Sequence, residues 1–489
     1  MGARRGSLTI GVYGDLISSL EEREIAYCVL KGTHHLAERL EGHGDLDLLT
    51  DPSHLAEMWV TLLELGFKPA RRLVAPQAPA QWHYFRPGVA GGWGHIHLHS
   101  AVVCSEQLRT SHLLPSMTQA YLTRSGHVDG VRVPDPGAEY AHLILKVFVR
   151  FASIPDLALL LTGRWNPWPE IAAVRSRSGI VDAIQVLDEA GIEVSPRVLT
   201  RCDRALARGR LTVGAIFLGL AVRRGLADSR VSSWPRRLFD YVRIGVERLG
   251  RAFHGRGYRV PRHGGMIAAV VGPDAVGKST VVSGLASRFA TVYRVSVLHG
   301  GKPAVTWRTL PLRIARNLWR LVRRRSDSSA GAAASSASDR PSLVQALNAW
   351  ALAMERRATL AKATREAARG SLVLFDRYPS QVRGGMDGPR LSALSTASGV
   401  GRWLSDKESE IYAGFIPPDL VIRLSAPVAD LLDRDATRTK PDGDSYLRLR
   451  ASPEAGWGMD RECRVVDLTT TDTPDVVQDR VVAEIWKVF

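Results

Sequence analysis

Residues 266–279 read MIAAVVGPDAVGKS, and this stretch decides the fold of the C-terminal half. Met266–Val271 is short, apolar and rich in small and β-branched residues, as suits a strand buried in a parallel sheet. It runs straight into Gly272, Pro273, Asp274, Ala275, Val276, Gly277, Lys278 and Ser279, a complete G-x-x-x-x-G-K-[ST] pattern. The spacing has a mechanical reason. Gly272 and Gly277 let the backbone turn around a phosphate, so that successive N–H groups and a helix N-terminus face it. Lys278 reaches the outer phosphates of a triphosphate from a solvated loop, and the Ser279 hydroxyl ligates Mg²⁺. The residues from Thr280 to Phe289 then read as a helix with Val281, Leu285 and Phe289 on one face.

Two further strands follow. Ser371 to Tyr378 (SLVLFDRY) carries a run of apolar residues whose end delivers Asp376, Arg377 and Tyr378 to the edge where α/β sheets bind ligands. A carboxylate there holds the water shell of Mg²⁺ or orients an acceptor, and Arg377 clamps a phosphate. Asp419 to Leu424 (DLVIRL) leads into 428–440, where Arg434 and Arg438 share a helix face, with Lys440 close behind. A cationic segment of this kind closes over ATP and neutralises charge on its terminal phosphoryl group; a solvated basic helix end is the plainer reading.

These elements together resemble the thymidylate kinases. The resemblance spans about residues 265–489 and rests on Gly272-Pro273-Asp274, Gly277-Lys278-Ser279-Thr280, Asp376-Arg377-Tyr378, Pro418-Asp419-Leu420 and the segment from Arg434 to Lys440. It implies a kinase of the phosphate-loop class using ATP and Mg²⁺, with Asp274 facing the acceptor, Arg377 on the acceptor phosphate and the lid arginines on ATP. Ala275 stands where that family usually has glycine. Residues 297–303 replace the Arg-Glu-Pro segment that helps cradle the acceptor there. Phosphoryl transfer is thus better supported than any one acceptor, and Met386-Asp387-Gly388-Pro389 either shapes the acceptor pocket or is a simple turn.

The N-terminal half offers a second site. Ile25 to Leu30 reads as a strand followed by Lys31-Gly32-Thr33, and Asp45-Leu46-Asp47 follows on another strand. Residues two apart on a strand share a face, so Asp45 and Asp47 present paired carboxylates suited to Mg²⁺. This pattern resembles the nucleotidyltransferase superfamily, hG[GS] followed by Dh[DE], over roughly residues 20–150. The resemblance implies nucleotide contact at Gly32 and Thr33, a metal site at Asp45 and Asp47, and a third carboxylate on a later strand, where His97 stands instead. An active transferase, a nucleotide-binding remnant and a merely exposed acidic strand are the readings this leaves open.

The chain has 489 residues, 45% of them hydrophobic and 23% charged, which asks for two or three globular domains. Its net charge of +16 favours polyanionic partners such as nucleotides, nucleic acid or acidic lipid headgroups, without choosing among them; nucleotides are expected from the motifs above, with nucleic acid or a membrane surface as further contacts. Nine lysines against 65 basic residues make the excess almost entirely arginine. The cysteines, Cys28, Cys104, Cys202 and Cys463, form no C-x-x-C pair, and no run is long enough for a membrane span, so a cytoplasmic protein is expected. Domain limits of 1–230 and 265–489 are expected, joined by a basic linker over 231–264, with a disordered Ser/Ala-rich insert near 326–342. The expected fold class is α/β: a nucleotidyltransferase-like domain followed by a P-loop domain with a parallel sheet flanked by helices. The expected function is ATP- and Mg²⁺-dependent transfer to a nucleoside monophosphate or other small phosphorylated or hydroxyl acceptor. The rivals are a nucleotide-binding regulatory protein, or an active nucleotidyltransferase whose kinase-like domain is accessory.

Overall fold

The computed structural model describes residues 11–72, 78–88, 91–106, 109–231, 259–306, 309–311, 313–314, 343–383, 385–391, 399–436 and 457–489, with residues 239, 242, 243, 245 and 246. The chain is α/β throughout and divides into two compact units, 1–254 and 255–489. The insert near 326–342, Arg438, Lys440 and most of the expected basic linker lie outside the described residues. Among the described residues no helix is long and apolar enough to cross a membrane.

In the C-terminal unit five parallel strands run in the order Val295–His299, Leu372–Asp376, Met266–Val271, Leu420–Ser425, Val465–Thr469. Met266–Val271 is buried along its whole length, which explains its unbroken apolar composition. Ile267, Ala269, Val271, Val373 and Phe375 pack against Ala353, Leu360 and Ala363 of the long helix Leu343–Ala368. The strand ends are aligned: Val270 pairs with Asp376, and Asp376 with His299. The helix Lys278–Phe289 leaves from the end of the central strand, two residues earlier than its apolar pattern suggests, because Lys278 and Ser279 belong to its first turn.

The N-terminal unit holds a mixed sheet in the order Tyr27–Val29, Asp45–Thr50, Trp93–His99, Gln81–Pro87, Lys68–Arg72. Only the Asp45–Thr50 and Trp93–His99 pair is parallel among these. Leu46, Leu48, Ile96 and Leu98 point to a core shared with Leu16 and Leu20 of helix Gly14–Glu22 and Met58 and Leu62 of helix Leu55–Glu64. The two-residue repeat therefore turns Asp45, Asp47, His95, His97 and His99 to the opposite face. Helix Pro136–Phe151, capped by Asp135 through the Gly137 and Ala138 N–H groups, is buried among helices Ile180–Glu189, Pro196–Leu206 and Val213–Gly225.

Candidate functional site

The Gly272–Ser279 loop has the backbone its sequence demands. Gly272 has φ +143°, and a Cβ there would lie 2.3 Å from the Leu424 carbonyl oxygen; Gly277 has φ +94° and caps the helix. Ala275, at the position where glycine was noted as usual, has φ +62°. A side chain in that left-handed region costs about 1–2 kcal/mol, the physical reason glycine suits the place.

Lys278 is buried, 6% exposed, where a solvated lysine was expected. Its ammonium donates to the Pro273 carbonyl at 2.6 Å and stands 3.7 Å from Asp274. Burial, joined by the charge of Arg377, pushes its pKa down to about 8. Arg377 also pairs with Asp274, and its other nitrogen lies 3.8 Å from Asp387. Two cations expected on ligand phosphates are therefore held by one carboxylate of the loop itself.

The register that aligns the strand ends brings Asp376 to the helix, where Ser279 Oγ donates to its Oδ2 at 2.6 Å. Asp376 Oδ1 is buried without a hydrogen-bond partner. An orphaned carboxylate oxygen beside a loop hydroxyl fits Mg²⁺ and its water shell, so Ser279 and Asp376 are the residues that would hold that ion. Thr280 is exposed on the same helical turn. A cleft of about 340 Å³ opens beside this pair, lined by Ser279, Val282, Leu298, His299 and Asp376 among others.

Arg434 sits near the end of helix Val428–Ala436 and donates to Thr470, to its hydroxyl at 3.0 Å and its carbonyl at 2.7 Å. Arg434 thus bonds the residue that follows the strand Val465–Thr469, while Arg438 lies outside the described residues.

Two residues of this unit escaped the sequence reading. Arg356 is fully buried and donates to the Gly300 carbonyl, to Asp387 Oδ1 and to the Asp387 carbonyl, besides meeting Tyr412 Oη. It thereby fixes Asp387, which faces Arg377. Its signal was present: it falls on the buried stripe Ala346, Ala349, Ala353, Leu360, Ala363, where an arginine needs a polar partner. His299 accepts hydrogen bonds at Nδ1 from the Gly301 and Lys302 N–H groups, so its neutral ring carries the proton on Nε2.

In the N-terminal unit, Gly32 has φ +74°, and a Cβ there would strike the Arg39 guanidinium at 2.5 Å. Thr33 donates to Glu139 at 2.8 Å. Asp47 is fully buried and meets Lys31 at 2.9 Å, Arg39 at 3.2 Å and His97 at 3.0 Å. Burial acts to raise its pKa, but Lys31, His97 and His99 outweigh it and hold the carboxyl well below its ordinary range. Asp45 is half-buried one pleat away, beside His95. Two Mg²⁺ ions do not fit here, because beside Asp47 the face offers the nitrogens of His97 and His99 where Mg²⁺ prefers oxygen.

The aligned strand ends and the loop define an α/β protein with a phosphate-binding loop in its C-terminal unit. No family model matches the chain. It is similar to the "Uncharacterized ATP-binding protein YghR" of Escherichia coli strain K12, 29% identical over 192 residues that make up 38% of this chain and 72% of that protein. YghR of the strain CFT073 shows the same identity and coverage.

Proposed function

We propose that the chain binds ATP at the Gly272–Ser279 loop and that its C-terminal unit transfers the terminal phosphoryl group to a nucleoside monophosphate or related small acceptor. The observation that carries this reading is the buried, unpartnered Asp376 Oδ1, whose carboxylate partner Oδ2 accepts from Ser279, an arrangement that supports a metal-bound triphosphate beside the loop. The similarity to a protein described as ATP-binding points to the same nucleotide. Mg²⁺, when bound, supplies charge neutralisation on the phosphates. Lys278 exchanges Asp274 for the outer phosphates, and Arg377, once released, binds the acceptor phosphate in the cleft by Asp376. The acceptor oxygen, already ionised on a monophosphate, attacks the terminal phosphorus, and the bond to the bridging oxygen breaks with ADP as leaving group.

A screen of nucleotide and sugar acceptors with γ-labelled ATP tests this reading. With the acceptor found, Arg377→Ala is expected to raise its KM by about 10–100-fold while ATP affinity changes only a few-fold. A normal acceptor KM in a stable variant removes Arg377 from that role.

The self-closed arrangement, with Lys278 and Arg377 both on Asp274, also favours a second reading, a nucleotide-dependent switch in which ATP releases the pair. ATP binding with no labelled product from any acceptor would select it. Both readings share a pH signature. Because Lys278 titrates near pH 8 and phosphates favour its charged form, ATP binding at pH 8.5 should take up about three quarters of a proton. Calorimetry in buffers of different ionisation enthalpy measures this, and Lys278→Met should abolish it.

A further inference from the structure

Two strands of the N-terminal sheet gather imidazoles, and a third brings Asp47, on the face opposite the Leu46 and Ile96 core, a face whose Leu49 joins a second hydrophobic core. The register sets Asp47 beside His97 on one flank, and His83 beside His97 on the other. We propose that Asp47, His97 and His99 form a site for a divalent cation of zinc-like softness, and that Lys31 stands in the cation's place until the metal displaces it.

Geometry supports the donor set. One ligand atom from each of the three residues lies within 4.8 Å of the others. Asp47 Oδ1 is 3.0 Å from His97 Nδ1 and 3.5 Å from His99 Nε2. Ligands about 2.0–2.1 Å from a tetrahedral zinc are roughly 3.3 Å apart, so these separations need little adjustment.

Two features of the imidazoles ask for a metal. His99 is buried, 2% exposed; its Nδ1 has no hydrogen-bond partner, and its Nε2 makes no hydrogen bond but stands 3.5 Å from Asp47 Oδ1. A buried imidazole left in that state is costly, and a coordinate bond at Nε2 removes the share of the penalty that falls on that atom, with the proton left on Nδ1. His97 Nε2 meets Gln81 Oε1 at 3.1 Å. In the tautomer that donates its N–H there, the Nδ1 lone pair faces Asp47 Oδ1 at 3.0 Å and is the atom a metal would take, whereas the other tautomer donates Nδ1–H to Asp47. A ligating histidine whose other nitrogen donates to an oxygen is the usual outer arrangement of metal centres. Two imidazoles and one carboxylate suit zinc and its neighbours, whereas Mg²⁺ prefers an all-oxygen octahedron.

Lys31 competes with an ion for the same carboxylate oxygen. Its ammonium lies 2.9 Å from the same Asp47 Oδ1, while Arg39 holds Oδ2 and fixes the carboxylate plane. The Lys31 side chain is 33% exposed, so it can turn into solvent as a metal enters.

The test is zinc titration of the full-length chain after chelator treatment, without nucleotide. The expected result is a zinc equivalent that excess Mg²⁺ does not displace. His99→Ala and, should that variant fail to fold, the half-buried His97→Gln should each weaken it by more than the roughly 10–100-fold that follows loss of an outer partner. Lys31→Met should tighten it by about tenfold. Cobalt substitution should give visible d–d bands of a tetrahedral nitrogen and oxygen site. Failure of the wild-type chain to bind zinc, unchanged zinc affinity in His97→Gln, or a sulfur-to-cobalt charge-transfer band would each overturn the proposal.

Discussion

Lys278→Ala is expected to weaken ATP binding by about 10–100-fold and to abolish the proposed phosphoryl transfer, with a melting temperature equal to or above that of the parent. The affinity loss follows from removing charge-assisted hydrogen bonds to phosphate, worth about 1.5–3 kcal/mol. The stability side has the opposite sign. A lysine whose pKa falls from 10.5 to about 8 on folding destabilises the folded state. That penalty is fully present below pH 8 and is relieved as pH rises toward the unfolded value. Alanine removes it at neutral pH, and the Pro273 carbonyl and Asp274 that Lys278 touched are left with Arg377 still on the carboxylate. Calorimetry with ATP and a thermal melt check both halves; unchanged ATP affinity would withdraw the loop assignment. A large loss of stability would instead make Lys278 a structural cation whose exchange onto phosphate does not occur.

The parts of this site written in consecutive residues were legible before the structure. Met266–Val271 announces a buried strand, Gly272 and Gly277 announce a phosphate turn, and Leu372–Asp376 ends on the carboxylate that meets Ser279. Each depends on local pattern, and a parallel sheet then aligns the ends. What sequence could not show depends on pairs far apart in the chain. Nothing in the spacing tells that Arg377 closes on Asp274, that Arg434 turns to Thr470, or that Arg356 anchors Asp387 across the long helix. The same holds for the N-terminal unit. The two-residue repeat correctly sets Asp45 and Asp47 on one face. It cannot say that Lys31, Arg39 and two histidines converge on only one of them.

That convergence decides the sign of a second large effect. If Asp45 and Asp47 were a free carboxylate pair awaiting metal, neutralising Asp47 would relieve repulsion and stabilise the metal-free chain. The structure requires the reverse. Asp47 is fully buried, and Asp47→Asn leaves the Lys31 ammonium and the Arg39 guanidinium facing a neutral amide. Removing one partner from a buried ion pair costs about 3–5 kcal/mol, and the partial exposure of Lys31 and Arg39 reduces this to about 2–3 kcal/mol. In the presence of chelator, amides of Asp45–Thr50 and Trp93–His99 should therefore exchange about 30–150-fold faster in Asp47→Asn. Asp45→Asn, at a half-buried position, should change exchange little. Adding Lys31→Met to Asp47→Asn should recover part of the loss, because the uncompensated ammonium leaves with its partner. Slower exchange in Asp47→Asn than in the parent would show that the carboxylate is strained by its like-charged neighbour, and that its bonds to Lys31 and Arg39 are not what holds these strands together.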